Sequence, residues 1–277
     1  MRTFGSAILV ILSMLLTAVA LPAIWVDRNI VQEQGFVALA GPLGSNETFQ
    51  SGLVSALSST AKAQLNLPAG LGNLAAGIIQ KAATSVTTDP GYPQAWSDTL
   101  RATHQVNFAS TDTEALSLDV APLLKLVAAR VSADLPAFVP INTPSQVLIS
   151  LGDPGLRQYV TVVSRVGHAG YWLAGAAVVL LLLGLAVARR RGTTAILAAV
   201  GLALVALVWK IAEMVVAGML QRTPTGNLVA EHFSAQLTAL AESSVDRWIL
   251  IAFIVAGSLF LVGILARVLE MGSARRM

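Results

Sequence analysis

The stretch YWLAGAAVVLLLLGLAVARRR, residues 171–191, runs for 18 residues without a charge and then ends in three arginines. A hydrocarbon core about 30 Å thick takes about 20 helical residues to cross. With Ala169 and Gly170 in front of it, this segment has the length and composition of a membrane span. Its arginines mark the flank that collects positive charge on the cytoplasmic side. Three further stretches are of the same kind: residues 4–26, about 195–216, and 248–266.

The whole composition agrees with these four runs. Hydrophobic residues make up 55% of the 277, charged residues 12%, and the mean hydropathy is +0.70. Soluble domains are roughly half apolar and about a quarter charged. The expected fold class is therefore a membrane protein, mainly α, with four transmembrane helices and a small extracytoplasmic α+β domain that is mostly helical. The chain contains no cysteine, which excludes disulfide staples, cysteine-ligated zinc, iron–sulfur clusters and thiol catalysis. Any part outside the cytoplasm must hold together by packing.

Orientation follows from the basic residues. Arg2 precedes the first run, Arg189, Arg190 and Arg191 separate the second from the third, and Arg267, Arg275 and Arg276 follow the fourth. Both termini and the ARRRG turn are thus expected in the cytoplasm. Residues 27–166 carry eight basic and ten acidic side chains, a net of −2, although the whole chain has a net of +3. The isoelectric point of 9.6 is therefore a topology signal, and no nucleic-acid partner is implied.

Three segments result: an N-terminal anchor at 1–26, an extracytoplasmic domain at 27–166, and a membrane domain of three spans at 167–277. The first has a second reading. TAVA at 17–20 offers the small-x-small cleavage site of a signal peptide, but the apolar run continues through Leu21, Ile24, Trp25 and Val26, which favours a retained span with Trp25 at the interface.

Within 27–166 the pattern is helical with a little sheet. Ser45 or Asn46 caps a run in which Phe49, Leu53, Leu57, Ala61 and Leu65 fall at four-residue steps. After Pro68, Leu71, Leu74, Ala75, Ile78, Ile79, Ala82 and Val86 repeat the helical period. ALSLDV alternates, with Leu116, Leu118 and Val120 on one side and Ser117 and Asp119 on the other. SQVLISL does the same with Val147, Ile149 and Leu151, so the two are candidates to pair. Asp119 or Ala121 opens a helix through Pro122, Leu123, Leu124, Val127 and Val131. Asp153 and Pro154 begin one that continues into the second span. Between the third and fourth spans, Val229, Phe233, Leu237 and Leu240 form the apolar stripe of an amphipathic helix at about 226–245, expected to lie on the outer leaflet or to cover the outer domain, with packing against protein preferred because its polar residues include acids.

Candidate functional residues are few. In YPQAWSDTLRATHQVNF, residues 92–108, an acid, a base and a histidine crowd together. On a helix His104 shares a stripe with Trp96 and Leu100 while Asp98 points away, so Asp98 and His104 are not expected to form an acid–base pair. His104 reads as a satisfied core histidine, and with Trp96 it is the candidate ligand or partner contact of this domain. Ser59-x-x-Lys62 has the spacing of a serine penicillin-binding nucleophile, but no K-T-G or S-D-N accompanies it. Asn46-Glu47-Thr48 fits a glycosylation sequon and equally a helix cap. His168 and His232 have no carboxylate or second histidine at ligand spacing and read as interfacial. No Walker A, HExxH, G-x-S-x-G or calcium loop occurs, so no catalytic residue, metal ligand or cofactor is assigned.

Inside the spans stand Lys210 and Glu213, in VWKIAEMVV. Counting from Ala195 at about 1.5 Å per residue, Lys210 lies roughly 22 Å up a core of about 30 Å. It can snorkel outward with Glu213 as its partner one turn on, or the pair can serve an ion or substrate site.

The order of apolar anchor, FVALAGPL, AWSDTLRATHQVNF, LSLDVAPLL, VLISL and YWLAGAAVVLLLLGLAVARRR resembles uncharacterised integral membrane proteins of actinobacteria over nearly the whole chain. The resemblance implies a bacterial plasma membrane and the same plan of anchor, outer domain and three spans. It implies no activity. The expected function is a non-enzymatic envelope protein whose outer domain binds a protein or lipid partner or acts as scaffold. The alternative is a membrane transporter or membrane enzyme with a site near Lys210 and Glu213. The bilayer is an expected partner in either case, and the sequence leaves the oligomeric state open.

Overall fold

The computed structural model describes residues 2–64, 72–109, 116–134, 142–151, 158–220 and 228–274. In chain order the elements are α1 (Arg2–Val26), continued by a π-helical turn Asp27–Val31, then α2 (Glu33–Ala40), α3 (Glu47–Gln64), α4 (Gly72–Ser85) and α5 (Tyr92–Ala109). There follow β1 (Ser117–Asp119), α6 (Ala121–Asp134), β2 (Leu148–Ser150), α7 (Gln158–Val187), α8 (Arg191–Leu220) and α9 (Leu228–Ala274). The fold is mainly α with one small sheet, and four of the helices are long and apolar enough to cross a membrane. Leu65, Pro68, Leu71, Asp153 and Pro154 lie outside the described residues.

The chain divides into two compact units. The first comprises Met1–Ile30, Val162–Leu220 and Ala241–Met277, and the second Val31–Thr161 and Gln221–Leu240. Their surfaces differ in kind. Among the described residues, Leu148 is the one large apolar side chain exposed in the second unit, whereas the first exposes Phe4, Trp172, Leu182, Leu207, Ile251, Leu265 and many more. A contiguous apolar exterior of that extent marks a surface that meets something other than water. On helices of this length that something is lipid, and the chain is a multi-pass membrane protein.

Helices in lipid gain nothing from hiding apolar groups from one another, so they associate by close backbone approach and by polar contacts. The first unit uses both. Gly170 and Gly184 of α7 lie against Ala23, Ile24 and Val10 of α1, Gly201 of α8 lies against Met14, and Gly192 of α8 meets Gly263 and Arg267 of α9. A Cβ at Gly192 would stand 2.7 Å from the Arg267 backbone nitrogen, which no relaxation of a flexible side chain could relieve. Ser6 Oγ and Ser13 Oγ donate to the Gly184 and Ala177 carbonyls at 2.8 and 2.7 Å, and the Trp209 indole donates to the Ala18 carbonyl at 3.2 Å. The first span is thus built into the bundle, and it runs on to Val31, five residues past the apolar stretch seen in the sequence.

The second unit is packed as a water-soluble core. Asn46 accepts the Phe49 N–H at 2.9 Å and so caps α3, with Glu47 in its first turn. Phe49, Leu53, Leu57 and Ala61 on the resulting stripe are fully buried. Each large one contributes about 1.5–3 kcal/mol by leaving water. They meet Ile79, Ala82 and Val86 from α4 and the α4–α5 connection, Trp96 and Leu100 of α5, and Leu123, Leu124, Val127 and Val131 of α6. Phe233 of α9 joins this core, with Leu237 and Leu240 packed against it.

Two features differ from the sequence reading. The amphipathic segment expected at about 226–245, from Leu228 onward, and the fourth span are one helix, α9, of 47 residues. The apolar run of the fourth span begins only at Trp248, but no glycine or proline occurs between Leu228 and Ala256 to break the helix. The strand β1 is buried on both faces, Ser117 and Asp119 included. Its polar side is covered by α5, whose Asn107 bonds both the Ser117 carbonyl and N–H, and whose Thr103 hydroxyl accepts the Asp119 N–H at 3.0 Å. β1 and β2 pair antiparallel with Leu118 opposite Ile149. Strands so short are marginal alone, and this polar seam is what fixes them to the helix.

Candidate functional site

In the second unit His104, Trp96 and Asp119 are engaged with backbone. His104 lies 2.9 Å by its Nε2 from the Val31 carbonyl; a carbonyl only accepts, so Nε2 carries the proton. The ring stacks on Phe108 with centroids 4.4 Å apart and is tilted against Phe36. Trp96 donates its indole N–H to the Gly41 carbonyl at 3.0 Å and packs on Phe49. A Cβ on Gly44 would overlap the Trp96 ring, so a glycine is needed there for the tryptophan to seat.

Asp98 is half-exposed and paired with Arg101 at 2.6 Å, on the side of α5 away from His104. Asp119 accepts the N–H groups of Ala121 and Val147 through one oxygen, each at 3.0 Å, which starts α6 and ties down the strand that follows it. Ser59 donates to the Ala56 carbonyl one turn back and is exposed with Lys62 on the outside of α3. His232 lies over Gly52.

Two acid–base features of this unit depart from ordinary behaviour. Burial pushes the Tyr92 phenol up to about 12, with the nearby Gln50 amide opposing, and its oxygen has no hydrogen-bond partner among the described residues. The Asp89 carboxyl is held below its usual range, chiefly by the Gly91 N–H at 2.7 Å; burial opposes this, and Arg130 adds to the lowering.

In the first unit the pair read from the sequence is a triad. Lys210 Nζ stands 3.0 Å from Glu213 and 2.6 Å from Asp246 of α9. Glu213 is nearly enclosed, its side chain 10% exposed, whereas Asp246 is about half open. One ammonium is thus shared by two carboxylates from two helices, which joins α8 to α9 and leaves the group one negative charge in excess. Asp246 gave no signal in the sequence because it stands 36 residues from Lys210.

A second contact also was not legible. Asp27, in the π-helical turn, is 2% exposed, and its carboxylate lies 3.5 Å from Nδ1 of His168. The same nitrogen bonds the Ser164 carbonyl at 2.9 Å, and His168 has a carboxylate neighbour that its own stretch of sequence does not show. The turn passes so near α7 that a Cβ on Gly167 would touch Asp27 at 3.0 Å. Single π-turns recur at functional sites, and here one aims a carboxylate at a neighbouring helix. No group of three or more His, Asp or Glu able to hold a metal ion occurs among the described residues.

The first unit also contains an open cavity of about 1260 Å³ between α1 and α8. It is larger than the roughly 300–1,000 Å³ of a small-molecule pocket. No protein-family model matches the chain, and neither the curated proteins nor the solved structures provide a match.

Proposed function

We propose that this is a non-enzymatic protein of the bacterial plasma membrane, with both termini in the cytoplasm, whose second unit stands outside as a scaffold or as a binding module for a protein or lipid partner. The observation that carries the reading is the engagement of His104, Trp96 and Asp119, the groups of that unit best suited to chemistry, in holding backbone and core. Catalytic groups converge on a space where a reacting atom can sit, and these three point into packed structure. The arginines around residue 190 and at the C-terminal end support the orientation. The resemblance to actinobacterial membrane proteins supports the bacterial setting.

The second reading, an ion-coupled transporter or membrane enzyme at Lys210 and Glu213, is favoured by one observation: the excess negative charge that Asp246 brings to the pair. Purification of the full chain from detergent-solubilised membranes, followed by mass spectrometry of co-purifying proteins and lipids, tests the first reading. Stoichiometric retention of one partner, lost on substitution of exposed residues of the second unit, is the expected result. Ion-dependent flux in proteoliposomes that disappears in Glu213→Gln would replace it with the second reading.

A further inference from the structure

The cavity between α1 and α8 differs in polarity from end to end. Along most of its length it is walled by Val10, Met14 and Leu15 of α1 and by Leu197, Leu204 and Val208 of α8. From Thr3 to Ala18 this follows about 22 Å of helix, more than half of a hydrocarbon core about 30 Å thick. At one end stand Arg189 and Arg190, both exposed and neither in an ion pair among the described residues, with the hydroxyl-bearing Thr193 and Thr194 beside them. The six ion pairs among the described residues all lie elsewhere.

A long apolar trough that ends at two uncompensated guanidinium groups matches the form of an anionic amphiphile. From this geometry we infer a specific binding site for one anionic phospholipid, its phosphate on Arg189 and Arg190 and an acyl chain along the trough. Guanidinium forks bind phosphate oxygens in pairs at fixed geometry, and basic pockets between transmembrane helices suit acidic headgroups. Bulk lipid would fill the trough without regard to headgroup, so selectivity for the acidic one is what distinguishes a site from an ordinary lipid shell. The site is separate from the role proposed for the second unit and stands or falls without it.

The test uses the full-length protein in a neutral detergent, titrated with phosphatidylglycerol or with phosphatidylcholine of the same chain length and read by native mass spectrometry. One phosphatidylglycerol should bind at concentrations where phosphatidylcholine does not. The double variant Arg189→Gln, Arg190→Gln should weaken it about tenfold, and Arg165→Gln, at the other end of α7, should leave it unchanged. Ala7→Phe, which fills the trough from an exposed position, should also expel the lipid while leaving both arginines in place. The double variant Arg189→Lys, Arg190→Lys keeps the charge and so covers the case in which the glutamines disturb folding; it should fall between the two. Equal retention of both lipids, or binding indifferent to Arg189, Arg190 and Ala7, would overturn the site. Binding of inorganic phosphate that depends on Arg189 and Arg190, with no retention of phosphatidylglycerol, would assign the arginines to a free anion and equally overturn it.

Discussion

The His104 imidazole both bonds a backbone carbonyl and lies flat on Phe108, so its removal takes away a hydrogen bond and a stacked face together. His104→Ala should lower the stability of the second unit by about 2 kcal/mol, read as a fall in melting temperature of the detergent-solubilised chain. His104→Gln, which can still reach the Val31 carbonyl, should cost less. If both variants melt like the parent yet lose a co-purifying partner, His104 is a contact residue and not a structural one. Tyr92 makes a pH prediction. Its phenol titrates near 10 when unfolded and at about 12 when folded, so the stability it contributes is fully present below pH 10. It is lost as pH rises from there toward 12, because the unfolded chain ionises first. Tyr92→Phe should remove that part of the alkaline destabilisation. Since the hydroxyl has no partner among the described residues, the same variant should cost little at neutral pH. Equal alkaline sensitivity in parent and variant would place the phenol in water. The His104 stripe was legible from four-residue spacing alone; the carbonyl it meets, 73 residues away, was not, since spacing reports a face and not what lies against that face.

Elements were legible in proportion to how much of their formation is local. The caps of α3 and α6 could be read because a side chain and the amide it accepts from stand two or three residues apart. α2 was missed: eight residues flanked by Gly41 and Pro42 hold too few turns for a period to show. Of the Lys210 triad, the two members on α8 were read and the one on α9 was not, and the missing member changes the expected genetics of the site. Exchanging Lys210 and Glu213 would restore the charges of a simple pair, but here it sets a glutamate at 210 beside Asp246. The exchanged protein should therefore recover little, and adding Asp246→Asn should recover more. Among single variants Glu213→Gln should be more damaging than Asp246→Asn, because the more enclosed carboxylate holds the lysine more strongly. The costs should lie between the roughly 1 kcal/mol of a surface pair and the roughly 3–5 kcal/mol of a buried one. Thermal melts in detergent measure this. Full recovery by the exchange alone would show that Asp246 does not engage Lys210.

For the molecule as a whole, composition was the strongest guide, since a run of apolar residues reports its solvent without regard to its partners. That is why the four spans were plain; the packing of the Phe233 stripe on protein was also legible from its period, and the particular side chains it meets were not. Orientation is the remaining whole-molecule property, and the absence of cysteine makes it directly measurable. Ser51→Cys, exposed on α3, should react with an impermeant maleimide on intact cells, and Arg191→Cys should react only after permeabilisation. Gly192, packed on Gly263 and Arg267, is unsuitable as the label site. The reverse pattern of labelling would invert the topology and place the second unit in the cytoplasm.

The hydroxyls of Ser6 and Ser13 add a constraint in time. Their acceptors lie 178 and 164 residues further along the chain, which a ribosome making about 5–20 residues per second reaches only after roughly 8 to 36 s. Until then α1 sits in lipid without α7, and each serine can turn to the carbonyl four residues back on its own helix, as serines in such helices do. When α7 arrives, those bonds must be exchanged for the interhelical ones. Where the spans enter the membrane in chain order, the early helix waits for the later one, and that interval is when an insertase or a membrane protease would find the first span alone.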